Sequence, residues 1–488
     1  MKHDFKLLRH AEVPIYILLV SMLLSACDGL VDFGSQKIRL TDCSINGASA
    51  LCGKLRVYEN RAAGKGPKIE LNIVVLPATG DQSATDPLFF FAGGPGGMAT
   101  GNASWFKTEL SSLNRTRDIV LVDQRGAGGS NPLICPAFED ISGLEGEKLA
   151  LYYDACLKGL DADLRWYTTK TYADDVNDVR QALGYEKINI AGESYGATVV
   201  QVYLNEHPDT VRTAAILRGT LLEVPIFEHF ADSSQRALDL VFSRCEQDVS
   251  CKEAFPDLKS EFEVIQTRLE TEPAQSSQWD AVGKQNFVIT PDVFANVIHY
   301  MLMGADTAAG IPRLVHLAAA EDDWDEIAGF YMSAIRPLKI SVMQQAMPIN
   351  ILCTEPWALY RMDQVNQNGA GSYFLAAQVE QAGMFEQLCP AMPAPEPQAM
   401  YAASLVTNVP VLILNTEEDP QNPPANVADA AKHYTNSRTL FEPYRAHFRS
   451  DWACSGDVLT EYIELGDPKA VKAECLEKIT PIPFDISP

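Results

Sequence analysis

Short apolar runs alternate with stretches of helical spacing along the first half of the chain. Pro87–Ala92 holds Leu88-Phe89-Phe90-Phe91, and Asp118–Val122 is a second such run. Runs this short and this apolar read as strands covered on both faces of a sheet. Upstream, Lys54–Asn60 and Lys68–Leu76 read as an opening antiparallel pair. In Thr171–Leu183 the apolar Val176, Val179 and Leu183 share one helical face. Strands follow at Ile188–Ala191 and Thr213–Leu217, with a helix over Ala197–Asn205 between them. Alternating strands and helices predict an α/β fold with a mostly parallel, doubly wound sheet.

The pattern changes after Leu222. Residues 226–390 hold helical stretches, among them Asp232–Phe242, Asp257–Leu269, Pro291–Leu302 and Gly310–Ala320, and few clear strands. The strand signal returns at Val409–Leu414, followed by a helix over Pro424–His433 and a strand over Arg438–Phe441. This predicts a mainly helical cap inserted after the sixth strand of the sheet. The expected organisation is a leader over 1–26, the first part of the core over 27–222, the cap over 223–397 and the rest of the core over 398–488. Ala391–Pro397 is the best linker candidate, because its prolines cannot continue a helix. The total of 488 residues exceeds one ordinary domain.

The first residues predict export. Lys2, Lys6 and Arg9 precede an apolar stretch, Pro14–Leu24, that is too short to span a bilayer. It ends in Leu24-Ser25-Ala26-Cys27, where small residues before a cysteine resemble the box of bacterial lipoproteins. The expectation is a lipoprotein signal peptide, lipidation at Cys27, and a place in a bacterial cell envelope facing the periplasm or exterior. An ordinary secretory peptide is the alternative, and Asp28 leaves the membrane leaflet undecided.

The net charge of −25 argues against a nucleic-acid partner, which needs a basic face. Oligomeric state is not readable. Beyond Cys27 the cysteines fall in sequence-adjacent pairs: Cys43/Cys52, Cys135/Cys156, Cys245/Cys251, Cys353/Cys389 and Cys454/Cys475. Five local disulfides in an oxidising compartment are expected. No metal site is expected, since no C-x-x-C pair and no histidine pair at ligand spacing occur.

The chemistry concentrates at Gly192-Glu193-Ser194-Tyr195-Gly196, between an apolar strand and a helix. That is the setting of a nucleophile elbow, where glycines let strand and helix pass closely and the serine stands proud of the sheet. A serine needs a base, and the base an orienting carboxylate. Asp419 follows the strand ending at Leu414, and His447 follows the next strand, in the chain order such sites use. Glu417 and Glu418 are alternatives for the acid and His433 for the base. His207, His229, His299 and His316 read as packing or surface residues. For the oxyanion, one backbone donor should be Tyr195 and the other Gly93, with Gly94 as the alternative, in the loop Ala92-Gly93-Gly94-Pro95-Gly96-Gly97. Asp123–Ser130 reads as a structural loop. Its G-x-G start lacks the third glycine of a dinucleotide site, because Asn131 stands there. No cofactor is expected.

Taken together these pieces resemble the prolyl aminopeptidase and tripeptidyl aminopeptidase family of α/β-hydrolases. Gly93–Gly97 is similar to its G-G-P-G loop, Asp123–Ser130 to its D-Q-R-G-x-G-x-S segment and Gly192–Gly196 to its nucleophile motif. The tail, with Cys454, Tyr462, Gly466-Asp467-Pro468 and Cys475, resembles the tripeptidyl branch. The resemblance implies an α/β-hydrolase fold, the triad Ser194, Asp419 and His447, no metal and no cofactor. The expected activity is that of a serine exo-peptidase acting on peptide N-termini. Glu193 and Glu223 are candidates to meet a substrate α-amine. Two positions depart from the family pattern: Ala92 stands where the prolyl branch has histidine, and Arg218-Gly219 where many relatives have Asp-Gly. A carboxylesterase on the same triad is the alternative enzyme, and a surface binding protein on an inactive hydrolase scaffold the alternative of another class.

Overall fold

Strand length and alternation set the frame of the molecule. The computed structural model describes residues 37–81, 83–136, 147–279, 286–393, 406–448 and 451–487. Cys27 and most of the proline-rich linker candidate lie outside these. Among the described residues the main sheet holds β1 (Thr41–Ile45), β2 (Ala48–Tyr58), β3 (Lys68–Leu76), β4 (Leu88–Phe91), β5 (Ile119–Val122), β6 (Ile188–Glu193) and β7 (Val211–Leu217). A small hairpin of β8 (Ala274–Trp279) and β9 (Asn286–Ile289) follows, and β10 (Val411–Thr416) and β11 (Ser437–Glu442) complete the main sheet. Its order is β1-β2-β3-β5-β4-β6-β7-β10-β11. The first three strands pair antiparallel, as does β3 with β5, and every later pairing is parallel.

The helical insertion follows the seventh strand of this sheet rather than the sixth. The difference is β1, which pairs with β2 through a turn at Asn46-Gly47, both at positive φ. As a largely exposed edge strand, it carries no apolar alternation that would announce it.

The parallel strands are short and buried on both faces, and alternate residues serve opposite layers. Phe89 and Phe91 of β4, Val120 and Val122 of β5, and Val411 and Ile413 of β10 pack on one side with the helices Thr169–Leu183 and Tyr195–Glu206. Leu88 and Phe90, Ile119 and Leu121, and Leu412 and Leu414 pack on the other with the helix Ala453–Leu465. This period of two through a sheet covered on both faces explains why these strands read as unbroken apolar runs.

Between β7 and β10 the chain builds helices around its own core, which includes Leu238, Phe262, Phe294 and Trp324. The helices Phe230–Gln247, Leu258–Thr271, Pro291–Leu302 and Ile311–Ala320 carry it. The β8–β9 hairpin is the one paired-strand element of this mainly helical insertion among the described residues. Five disulfides, Cys43–Cys52, Cys135–Cys156, Cys245–Cys251, Cys353–Cys389 and Cys454–Cys475, join Cα atoms 5.0–5.8 Å apart. Five such bonds belong to an oxidising compartment, outside the reducing cytoplasm. Among the described residues no helix is long and apolar enough to cross a membrane.

Candidate active site

A sharp turn joins β6 to the following helix. Ser194 sits there at φ +54°, ψ −122°, a conformation an L-residue adopts at a cost of about 1–3 kcal/mol. Two glycines make the turn passable. A Cβ on Gly192 would lie 2.2 Å from the carbonyl oxygen of Gly196, and one on Gly196 would lie 2.1 Å from that of Phe91. The Ser194 amide donates to Leu217 O at 3.0 Å, which fixes the turn to β7.

Two loops at the carboxyl ends of β10 and β11 bring the partners. The His447 imidazole has Nε2 3.1 Å from Ser194 Oγ and Nδ1 2.8 Å from Asp419 Oδ2. Asp419 is fully buried, and its other oxygen accepts the amides of Gln421 at 2.8 Å and Asn422 at 2.7 Å. Burial alone would raise the pKa of this carboxyl. The His447 charge and hydrogen bond, with those two amides, prevail and hold it below the ordinary aspartate value. Glu418 goes elsewhere, to Arg244 at 3.2 Å. His433 pairs with Glu223 at 2.5 Å, so neither His433 nor Glu223 is brought to the serine. The Glu223 carboxylate, an amine-binding candidate, is thus engaged with the His433 ring. Glu193 precedes the serine in β6 and faces the charge of Arg218.

The two glycines offered for the oxyanion differ in placement. A Cβ on Gly93 would lie 3.2 Å from Ser194 Cβ and 3.7 Å from its Oγ, so this backbone lies against the nucleophile. Gly94, at φ +126°, turns instead toward the amides of Gly96 and Gly97 in its own loop. Tyr195 opens the helix, where a backbone N–H has no intrahelical acceptor and the helix dipole favours negative charge. Asp123 ties its own loop to the short helix that follows the glycine loop: its carboxylate accepts from Thr100 N at 3.0 Å, Thr100 Oγ1 at 2.9 Å and Gly129 N at 2.9 Å.

Three neighbours had no signal in the sequence. The Tyr195 hydroxyl is held by Gln124 Nε2 at 2.9 Å and Thr169 Oγ1 at 2.6 Å, and Thr169 donates in turn to the buried Glu355 of the insertion. Arg236, on the helix Phe230–Gln247, donates to the carbonyls of Glu417 at 2.8 Å and Asp419 at 3.2 Å. His299, on the helix Pro291–Leu302, lies within reach of the charges of Asp419 and His447. The last of these could be placed only by knowing which helix crosses above the triad. Beside it, Phe448 N–H donates to Met303 O, one turn past His299.

His299 sets a pH dependence. Ser234 Oγ donates to Phe230 O at 2.6 Å, so it accepts from His299 Nδ1 at 2.9 Å, which places a proton on Nδ1. Burial, aided by the positive charges of His447 and Lys339 and opposed by Asp419, pushes its pKa down to about 3. The unfolded chain takes up this proton near pH 6.5, while the folded chain refuses it until about 3, so stability falls as pH drops through that window. Between roughly pH 6.5 and pH 4.5 the wild type should lose about 2 kcal/mol more than His299→Asn, as measured by denaturant unfolding. Equal losses in the two proteins would remove His299 as the cause.

Among the described residues no group of three or more His, Cys, Asp or Glu side chains could hold a metal ion. Ser194, His447 and Asp419 stand in line as a hydroxyl, a base aligned to it, and a carboxylate that fixes the base.

A family model described as "alpha/beta hydrolase fold" matches residues 86–251, which contain the elbow, and a second described as "TAP-like protein" matches residues 376–475, which contain Asp419 and His447. The chain has the α/β-hydrolase fold. Among curated proteins, this α/β-hydrolase is 30% identical over 189 residues to a tripeptidyl aminopeptidase of Streptomyces coelicolor, a match covering 34% of each chain. It is 30% identical over 190 residues to the serine protease Hip1 of Mycobacterium tuberculosis, covering 35% of this chain and 36% of that one. It is 31% identical over 137 residues to a proline iminopeptidase of Arabidopsis thaliana, covering 28% and 27%. The matched stretch thus spans about a third of the length of the first two relatives and less of the third.

Proposed function

We propose that this α/β-hydrolase is a serine exo-peptidase that releases residues from peptide N-termini through an acyl-enzyme. The observation that carries the proposal is the alignment of His447 between Asp419 and Ser194, at 2.8 and 3.1 Å. Ser194 Oγ attacks the scissile carbonyl while His447 Nε2 takes its proton. Asp419 holds the tautomer with the proton on Nδ1 and stabilises the imidazolium. The amides of Tyr195 and Gly93 receive the developing oxyanion. His447 then returns its proton to the leaving amine. In the second half, water activated by the same imidazole hydrolyses the ester and frees Ser194.

The chain-end preference rests on the names of the relatives, tripeptidyl aminopeptidase above all. A free α-amine would need a carboxylate near the elbow, and Glu193, the residue before Ser194, is the nearest candidate in sequence. The same proposal anchors the protein to a bacterial membrane by acylation of Cys27, with the catalytic unit on the oxidising side.

The test is turnover of a fluorogenic panel by the soluble 28–488 fragment. It would hold free-amine mono-, di- and tripeptide amides, their N-blocked counterparts and short acyl esters. Cleavage confined to free-amine peptides is expected. Cleavage confined to the esters would move the protein to the carboxylesterases.

A further inference from the structure

Arg218 directly follows β7, beside the elbow, and its side chain is buried, at 3% exposure. A guanidinium out of water is costly unless its donors are used. Here Nη1 donates to the carbonyl oxygen of His447 at 2.8 Å. Nη2 lies 3.4 Å from Glu442 Oε2, a carboxylate as buried as itself, and the group stands 5.8 Å from the Trp452 ring. Nε has no acceptor. The backbone is equally committed. The amide donates to Leu414 O at 2.9 Å, and the carbonyl accepts from Asn422 Nδ2 at 2.6 Å. Asn422 is the residue whose own amide binds Asp419. One residue is thus bonded to the loop of the acid and to the loop of the base.

Arg218 also takes a left-handed conformation, φ +48°, which a residue with a Cβ adopts at a cost. The strain, the buried charge and the unpartnered Nε are not needed to pair β7 with its neighbours, since the backbone bonds there are available to any residue. What only this long side chain supplies is a donor at the His447 carbonyl.

We propose that Arg218 is a positioning residue for His447. By holding the histidine's own carbonyl it sets the depth at which the ring enters between Asp419 and Ser194. Met303, accepting from Phe448 N–H, holds the other end of the same peptide group from the side of the insertion. Glu442 serves Arg218 by keeping its charge paired, and does not touch the reacting groups. The inference rests on the reading of Ser194, His447 and Asp419 as the catalytic triad.

The experiment compares wild type, Arg218→Met, Arg218→Lys, Glu442→Gln and Ser194→Ala. Two readouts are taken: kcat and KM for alanyl-alanyl-alanyl-7-amido-4-methylcoumarin, and the rate of labelling by a fluorophosphonate, which needs the base but no peptide specificity. Misplacing a catalytic ring by about 1 Å costs on the order of 100-fold. Arg218→Met should therefore lose about 100-fold in kcat and in labelling rate, with KM within about twofold of wild type. Arg218→Lys, which can still donate to the His447 carbonyl, should recover at least about tenfold of that loss, and Glu442→Gln should stay within about tenfold of wild type. Should Arg218→Met fail to fold, the double variant with Glu442→Gln replaces it, because it leaves no buried carboxylate unpaired. A folded Arg218→Met protein with wild-type kcat and labelling would overturn the proposal, as would a lysine variant no better than the methionine one. Undiminished turnover by Ser194→Ala would instead sink the triad reading beneath it.

Discussion

Replacing Ser194 with alanine should lower kcat by about 10⁴-fold or more. The size follows from the absence of a substitute. Oγ is the atom 3.1 Å from His447 Nε2, and the elbow holds it there by a turn that only Gly192 and Gly196 allow. Alanine keeps the Cβ and the backbone of the turn, so the oxyanion donors and the packing around them should survive. The residual rate would come from those donors and from binding. Turnover of the peptide panel measures the loss, and thermal unfolding within about 2 °C of wild type would show that the fold is intact. Activity near the wild-type value would overturn the mechanism.

Changing Asp419 to asparagine should cost roughly 10³–10⁴-fold in kcat, and the structure says why so small a change matters. Oδ1 of Asp419 accepts two backbone amides, those of Gln421 and Asn422. In an asparagine that position must therefore be the carbonyl oxygen, and the amide NH₂ is left facing His447 Nδ1. A donor there forces Nδ1 to become the acceptor and moves the ring proton to Nε2, where it points at Ser194 and cannot accept its proton. The base is lost without any change of shape. Glu418→Gln is the control: its carboxylate faces Arg244 rather than His447, so kcat should stay within about threefold of wild type. Comparable losses in the two variants would mean that the acid has been misassigned.

The parts of this site that were legible in the sequence are those with a local signature. Leu88–Phe91 read as a buried strand because both faces of it are covered. Gly192–Gly196 read as an elbow because strand, turn and helix are contiguous. Asp419 and His447 could be named because each follows a parallel strand in the order this chemistry requires, even though 225 residues separate the serine from the acid. The same reasoning failed wherever the partner is distant and the type of residue unremarkable. Glu223 was offered to the substrate, yet the chain folds it onto His433. The edge strand β1 went unread because exposed, polar and irregular positions carry no period. Arg218 was visible only as a departure from a family pattern. Its contacts with His447 and Glu442 span 229 and 224 residues and have no local trace. His299 and Arg236 reach the triad from helices whose periodicity shows which face is buried, but not what it is buried against.

These contacts make the insertion part of the catalytic frame. Arg236 holds the acid loop, and Met303 holds the base loop, both from the insertion, while Glu355 anchors the residue after the nucleophile. Ser194 and its two partners would then keep their alignment only while the insertion stays docked on the sheet.

The measurement that tests the account most directly is site-resolved labelling of the folded protein with a fluorophosphonate, followed by peptide mapping. The account predicts a single adduct on Ser194, formed rapidly in wild type and at least about 100-fold more slowly in His447→Ala. A folded protein that takes no label, or one labelled equally well after Ser194→Ala, would contradict it.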